Sequence, residues 1–288
     1  MAYAIVASLC CLTLSLLAYV ATVFVVHISW IEVFKNILLP QWSWKPAFIT
    51  TIVAVFGTTI SPYLFFWQAS QEVEELNASP IEQPLKQAPK QSEHQFKRIK
   101  IDTCIGMGFS NMVAFFIMLS TAVTLHSHGI TNIETSAQAA SALRPIAGDF
   151  AFWLFSIGII GTGLLAIPVL AGAAAYAMAG TFKWKSSLEY KPSMAKKFYA
   201  IITLSTLIGV GLCFTAINPI KALYWSAVIN GVISIPIMII MMLMVVRSDV
   251  MGEFVISSRL KIAGWICVGV MIFAVAMMFW TSARNYFL

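Results

Sequence analysis

Seven apolar runs punctuate this chain, and their length fixes the class of fold before any motif is read. They cover about 3–27, 46–70, 102–126, 148–180, 197–216, 220–246 and 260–282. A helix rises ~1.5 Å per residue, so about 20 apolar residues cross a hydrocarbon core ~30 Å thick. Hydrophobic residues make up 59% of the 288 and charged residues only 10%. With a mean hydropathy of +0.84, a soluble domain of this size has nowhere to hide so much apolar surface. The expectation is an all-α membrane protein, a polytopic helical bundle forming a single transmembrane domain over 1–288 with about seven spans. The fourth run is longer than a bilayer requires and is expected to tilt or to emerge from it.

The basic residues give an orientation. Of the 18 Lys and Arg, thirteen fall in three connections: Lys86, Lys90, Lys97, Arg98 and Lys100; Lys183, Lys185, Lys191, Lys196 and Lys197; Arg247, Arg259 and Lys261. The alternate connections and the final stretch hold Lys35, Lys45, Arg144, Lys221 and Arg284. This asymmetry puts the amino terminus in the cytoplasm of what is expected to be a bacterial cell (inner) membrane, with the lipid bilayer as the chain's main partner. The net charge of +6 is accounted for by these loops and does not point to nucleic acid. The polar stretch 71–101, with Pro80, Pro84 and Pro89 and charges of both signs, reads as a mobile cytoplasmic loop. Cys10, Cys11, Cys104, Cys213 and Cys267 lie in or beside apolar runs without metal-ligand spacing and read as small apolar residues. The first run begins without a basic leader, which suggests a chain whose beginning has been lost.

One run carries its own interruption: Phe56-Gly57-Thr58-Thr59-Ile60-Ser61-Pro62-Tyr63. Pro62 has no N–H for the helical ladder and its ring crowds the preceding turn. Gly57 and Pro62 are therefore expected to break the helix, and the freed carbonyls near Thr58 need another partner in lipid. A break lined with small hydroxyl residues is how transporters present carbonyls to an ion near the midplane. A proline kink packed against neighbouring helices is the alternative, and the residues alone leave both open.

The remaining polar features are weaker. Gly158-x-x-Gly161-x-Gly163 follows no predicted strand and lies in an apolar run, so close helix approach explains it better than a nucleotide loop does. His126 and His128, two residues apart, do not share a helix face and make a poor metal site. Glu72, Glu74 and Glu75 read as a solvated loop start or as an attractor for leaving cations. No acid/base pair or nucleophile constellation lies in the runs, so an enzyme is not expected, and nothing resembles the selectivity ring of a channel.

The interrupted run resembles the sixth helix of the natural resistance-associated macrophage protein (NRAMP) family of divalent-metal transporters. The likeness continues through Asp102-Thr103, Ser110-Asn111, the Gly158–Gly172 stretch and Ala227-Val228-Ile229-Asn230-Gly231. It covers nearly the whole chain. The resemblance implies a LeuT-like fold of two inverted repeats, about eleven helices in all, coupling metal uptake to protons. This chain then corresponds to helices five to eleven. The first helix, whose Asp-Pro-Gly-Asn motif supplies an acidic ligand, is absent from it, so a fragment holding half of the ion site is expected.

A second departure lies inside the motif. Where the family reads Met-Pro-His, this chain reads Ser61-Pro62-Tyr63, and Gln68 stands where a second histidine is frequent. The resemblance makes Thr58 and Ser61 the candidate metal residues, Thr58 through its carbonyl and Ser61 through its hydroxyl. The bland alternatives are a Thr58 hydroxyl bonded back into its helix and a Ser61 that merely packs. Thr59, Tyr63, Gln68, Asn111 and Asn230 are candidates to line the pathway, or else interhelical hydrogen-bonding groups. Loss of the thioether favours hard ions, and loss of an imidazole that titrates near neutrality loosens proton coupling. The transported ion is expected to be a divalent cation such as manganese, magnesium or iron, with the hard ions favoured and no bound cofactor. The competing expectation is a non-transporting membrane scaffold or relic, and residues 1–288 alone are not expected to transport.

Overall fold

A computed structural model of the chain describes residues 17–25, 28–40, 42–79, 83–124, 129 and 135–287. Among them the regular structure is helical: α1 (Leu17–Val25), α2 (Trp30–Leu38), α3 (Pro46–Ile60), α4 (Pro62–Ala78), α5 (Ser92–Thr124), α6 (Ser136–Phe182), α7 (Lys196–Leu212), α8 (Pro219–Met244), α9 (Ser248–Met251) and α10 (Ser258–Phe287), with a 3-10 turn at Pro89–Gln91. Among the described residues five stretches are long and apolar enough to cross a membrane: Pro46–Ala78, Pro89–Val123, Gly148–Phe182, Pro219–Met244 and Ser258–Arg284. α7, with 17 residues, is about 25 Å long. The chain is an all-α, polytopic membrane protein. Cys10, Cys11, His126 and His128 lie outside the described residues, and Cys104, Cys213 and Cys267 are free thiols.

The polar stretch is not a loop over 71–101. α4 runs on to Ala78 and α5 starts at Ser92. Gln71, Glu72, Glu74, Glu75 and Leu76 are good helix formers, and charge does not stop a helix once it has left the hydrocarbon. α4 ends where Pro80 follows in the sequence: Ser79 is extended (φ −82°, ψ 126°), as a residue just outside a proline-terminated helix must be. Two contacts hold the described part of this region. Lys86 Nζ donates to the Asp249 carbonyl at 2.7 Å, and the Phe96 and Phe254 rings meet edge to face at 5.3 Å. Beside this contact Arg247 makes two hydrogen bonds, 3.0 and 2.8 Å, to the Asp249 carboxylate. The guanidinium holds that exposed carboxyl below the usual carboxylate range.

The chain divides into two compact units, Met1–Pro40 with Lys97–Lys221, and Gln41–Phe96 with Ala222–Leu288. In the first, α6 packs against α7 and α1. Ala171, Ala173, Ala175 and Ala179 of α6 are buried; short side chains let neighbouring backbones come close without the entropy loss of ordering long ones. Tyr176 and the fully buried Phe198 bring their rings to 4.9 Å across the α6–α7 contact. The turn between those helices is fastened by the Tyr199 hydroxyl, which donates to the carbonyls of Tyr190 (2.8 Å) and Leu188 (3.2 Å). Lys197 Nζ sits 5.0 Å from the Trp184 ring centroid, a cation–π contact at the end of the span.

α6 opens with a capping box, Thr135 Oγ1 accepting from Gln138 N at 3.1 Å and Gln138 Oε1 accepting from Thr135 N at 3.2 Å. Its first turns therefore lie ahead of the apolar run expected to begin at 148. The two parts meet at Gly148, whose φ of 81° and ψ of 175° are open to glycine and to almost no other residue.

In the second unit α3 packs against α10. Ile49, Val53 and Ala54 of α3 form one buried cluster with Ala227 and Val228 of α8 and Val275 and Met278 of α10. With the partly buried Tyr224, Val232 and Ile235 of α8, these positions recur at roughly helical spacing, one apolar stripe per helix facing the cluster. Thr51 Oγ1 and the Tyr224 hydroxyl, 3.1 Å apart, add a hydrogen bond between α3 and α8.

Candidate functional site

The helix interruption falls at one residue. Ser61 closes α3 and opens α4 with φ 45° and ψ 69°, a left-handed conformation that costs a residue with a Cβ about 1–2 kcal/mol. Pro62 is the first residue of α4, where the missing N–H has no helical partner to lose and the fixed φ suits the first turn. The serine is 5% exposed. Its backbone N–H donates to the Gly57 carbonyl at 3.2 Å, and its carbonyl accepts from Leu64 N at 2.9 Å.

Two oxygens are presented together at the break. The Ser61 hydroxyl donates to the Thr58 carbonyl. That carbonyl is the one a proline at position 62 leaves without its helical N–H. The Thr58 hydroxyl bonds back into its own helix, to the carbonyls of Ala54 (3.1 Å) and Val55 (2.9 Å). The Thr59 hydroxyl does the same to Val55 at 2.8 Å. Both threonine hydroxyls thus satisfy backbone within their helix, and what Thr58 offers to the break is its carbonyl.

Gly57 does not break the helix. It lies inside α3 (Pro46–Ile60) with ordinary helical backbone. Its role is contact: a methyl group there would collide with the Ala227 carbonyl oxygen and stand 2.5 Å from Gly231 N. The reciprocal clash is at Gly231, where a methyl group would lie 2.7 Å from the Val53 carbonyl oxygen. α3 and α8 therefore cross backbone to backbone at a glycine pair, four residues before the break. Such small-residue crossings let membrane helices associate without an apolar driving force. Sequence reasoning quoted Gly231 only as part of a resemblance and missed its partner. The small-residue pattern does not reveal it either, because Gly163 in the Gly/Ala-rich run meets nothing within 4 Å.

The other candidates are scattered. Tyr63 is half-buried on the first turn of α4, and Gln68 is exposed one and a half turns further on. Asn230 of α8 is half-buried next to Gly231, and its amide makes no hydrogen bond among the described residues. Asn111 belongs to the other unit; its Nδ2 donates to the Met107 carbonyl at 2.9 Å, satisfying its own helix. Among the described residues no group of three or more His, Cys, Asp or Glu side chains comes together. The break therefore supplies neutral oxygen, one carbonyl and one hydroxyl, the ligand type suited to a hard cation.

The sequence matches the family described as natural resistance-associated macrophage protein-like over residues 2–281. It is similar to the "Divalent metal cation transporter MntH" of Clostridium acetobutylicum, 26% identical over 251 residues that cover 86% of this chain and 53% of the relative. The protein of the same name from Caldanaerobacter subterraneus subsp. tengcongensis is 26% identical over 250 residues, 86% of this chain and 54% of that one. The chain spans about half the length of the curated relatives it matches. With a family match over nearly its whole length, this chain belongs to the natural resistance-associated macrophage protein-like (Nramp) family.

Proposed function

We propose that this chain contributes one broken helix, α3–α4, to a transporter of divalent cations, with the Thr58 carbonyl and the Ser61 hydroxyl as its share of the ion site. The observation that carries this reading is the buried, left-handed Ser61, whose hydroxyl lies against the one carbonyl that Pro62 leaves without its helical partner. An arriving cation replaces that hydrogen bond: the hydroxyl turns its proton away, and both oxygens face the ion. On this reading Tyr63, Gln68 and Asn230 line the water path.

Two neutral oxygens do not replace the hydration shell of a divalent ion, which takes six or more oxygen ligands. The remaining ligands come from water and from elements outside this broken helix. The preferred substrates are manganese and magnesium, and proton coupling is loose because Tyr63 and Gln68 occupy positions where the family resemblance calls for imidazoles. The basic connections are cytoplasmic, and the chain acts in transport and not as an enzyme.

A second reading, a non-transporting membrane scaffold, is favoured by one observation: the Thr58 carbonyl and Ser61 hydroxyl already satisfy each other. Uptake of manganese, magnesium and cadmium into proteoliposomes separates the two. The transporter reading expects manganese and magnesium uptake by the longest protein that contains this chain, and a gain in cadmium preference in its Ser61→Met variant. Strong cadmium preference in the unmodified protein, unchanged by Ser61→Met, would remove Ser61 from the ion. No uptake of any ion would leave the scaffold reading.

A further inference from the structure

Within the second unit, a recess of about 150 Å³ separates the start of α3 from the last turns of α10. Trp44 and Pro46 line one side, and Met277, Trp280, Thr281 and Arg284 the other. We propose that this recess binds the phosphate of an anionic glycerophospholipid, held by the Arg284 guanidinium between the two indoles.

Depth is the first argument. No charged residue lies between Lys261 and Arg284 on α10, and at ~1.5 Å per residue they stand about 34 Å apart along the helix. That length brackets a hydrocarbon core ~30 Å thick. Arg284 is thus at headgroup level when Lys261 is at the opposite one. Trp44 and Trp280 belong to the same level by chemistry, since indoles collect where one face meets acyl chain and the N–H meets water.

Chemistry is the second argument. Arg284 is exposed and makes no ion pair among the described residues, and none of the lining residues is acidic. Its planar fork of donors matches two phosphate oxygens at once. Trp44 and Trp280, 63% and 69% exposed, have indole N–H groups that only donate and that make no hydrogen bond among the described residues. Thr281 is not a donor here, because its hydroxyl donates to the carbonyls of Met277 (2.8 Å) and Met278 (3.2 Å). The recess therefore offers donors and positive charge and no carboxylate to pair a choline or ethanolamine. Basic pockets between membrane helices bind lipid headgroups on these terms. The Trp44 side is stiffened by edge-to-face contact with Trp42 at 5.5 Å, and Trp42 in turn meets Phe48 of α3 at 5.6 Å.

The test is native mass spectrometry of the purified chain in detergent, titrated with dioleoylphosphatidylglycerol. The tightest lipid is expected to bind about tenfold more weakly to Arg284→Gln, with an intermediate loss in Arg284→Lys. Arg259→Gln, which removes an exposed charge at the other end of α10, is expected to leave binding unchanged. Circular dichroism on each variant separates lost binding from lost fold. Unchanged affinity in Arg284→Gln would overturn the proposal, as would an equal loss in Arg259→Gln. Displacement by millimolar inorganic phosphate would assign a soluble anion instead. Dioleoylphosphatidylcholine binding as tightly as the glycerol lipid would overturn the anionic assignment.

Discussion

Two breaks interrupt apolar helices here, and they are built in opposite ways. At Gly148 the backbone takes φ 81°, the residue is glycine, and among the described residues no atom beyond its own stretch of helix stands within 4 Å of where a side chain would begin. Conformation alone requires the glycine there. At Ser61 the backbone is also left-handed, at φ 45°, but the residue carries a side chain and is 5% exposed. Glycine would remove the strain at that position. A serine there costs about 1–2 kcal/mol, so strain at this position, together with a hydroxyl aimed at a spare carbonyl, motivates assigning the side chain a function.

The surroundings differ in the same sense. Ser61 donates its N–H to Gly57, and Gly57 is locked against Ala227 and Gly231 of α8. The Ser61 break is thus supported by a close helix crossing, whereas no such crossing meets Gly148 among the described residues. The sharpest way to break the comparison is to remove that support. Gly57→Val should destabilise the protein by about 3 kcal/mol, the upper part of the usual overpacking cost, because its side chain meets backbone atoms that cannot turn aside. Thermal unfolding in detergent reads this as a large fall in Tm, while Gly163→Ala, in open space within a helix, should raise stability by about 0.5–1 kcal/mol. Equal, small effects at the two positions would mean that the α3–α8 crossing is not rigid.

A smaller effect is expected at Gly148. Gly148→Ala forces a Cβ into a conformation that tolerates none, at a cost of about 1–3 kcal/mol. The unfolding transition should shift accordingly, with ion uptake per folded molecule unchanged.

The smallest stability effect, and the most telling, is at Ser61. Ser61→Gly relieves about 1–2 kcal/mol of strain and loses a hydrogen bond of about 1 kcal/mol together with some backbone entropy, so stability should hardly move. Ser61→Ala keeps the strain and loses the bond, a cost of about 1 kcal/mol. Both variants should lose ion transport to a similar extent. Transport that follows stability, intact in Ser61→Gly and reduced in Ser61→Ala, would make the serine a packing residue.

Much of this was legible in the chain. Apolar runs of bilayer length fix an all-α membrane protein, and a proline beside small polar residues locates the interruption to within one residue of Ser61. Two features were not legible, each for a physical reason. Gly57 and Pro62 look equally like breakers in sequence, but glycine in a helix interior is tolerated where it allows a neighbour to approach, and the neighbour, Gly231, is far away along the chain. The extent of α4 and α5 was also hidden. Hydropathy marks where a helix leaves the hydrocarbon and says nothing about where it stops, and Glu72–Ala78 continue α4 up to the extended Ser79. The hydroxyls of Thr58 and Thr59 turn inward to Ala54 and Val55, a choice between backbone and ion that residue type alone leaves open.

The central claim is that the Ser61 side chain touches the transported ion. Its most direct test replaces one atom: Ser61→Cys puts a soft sulfur where the hydroxyl stands, with Thr59→Cys as a control in which the new thiol points back into α3. Cadmium titration of the longest protein that contains this chain, with its native cysteines replaced by alanine, followed by the ultraviolet absorption of the cadmium–thiolate bond, reads contact without requiring transport. A thiolate ligand prefers cadmium over the hard ions that an oxygen set suits. The account predicts a saturable cadmium–thiolate band, displaced by excess manganese, in Ser61→Cys and none in Thr59→Cys. No band at position 61, or equal bands at both positions, would contradict it.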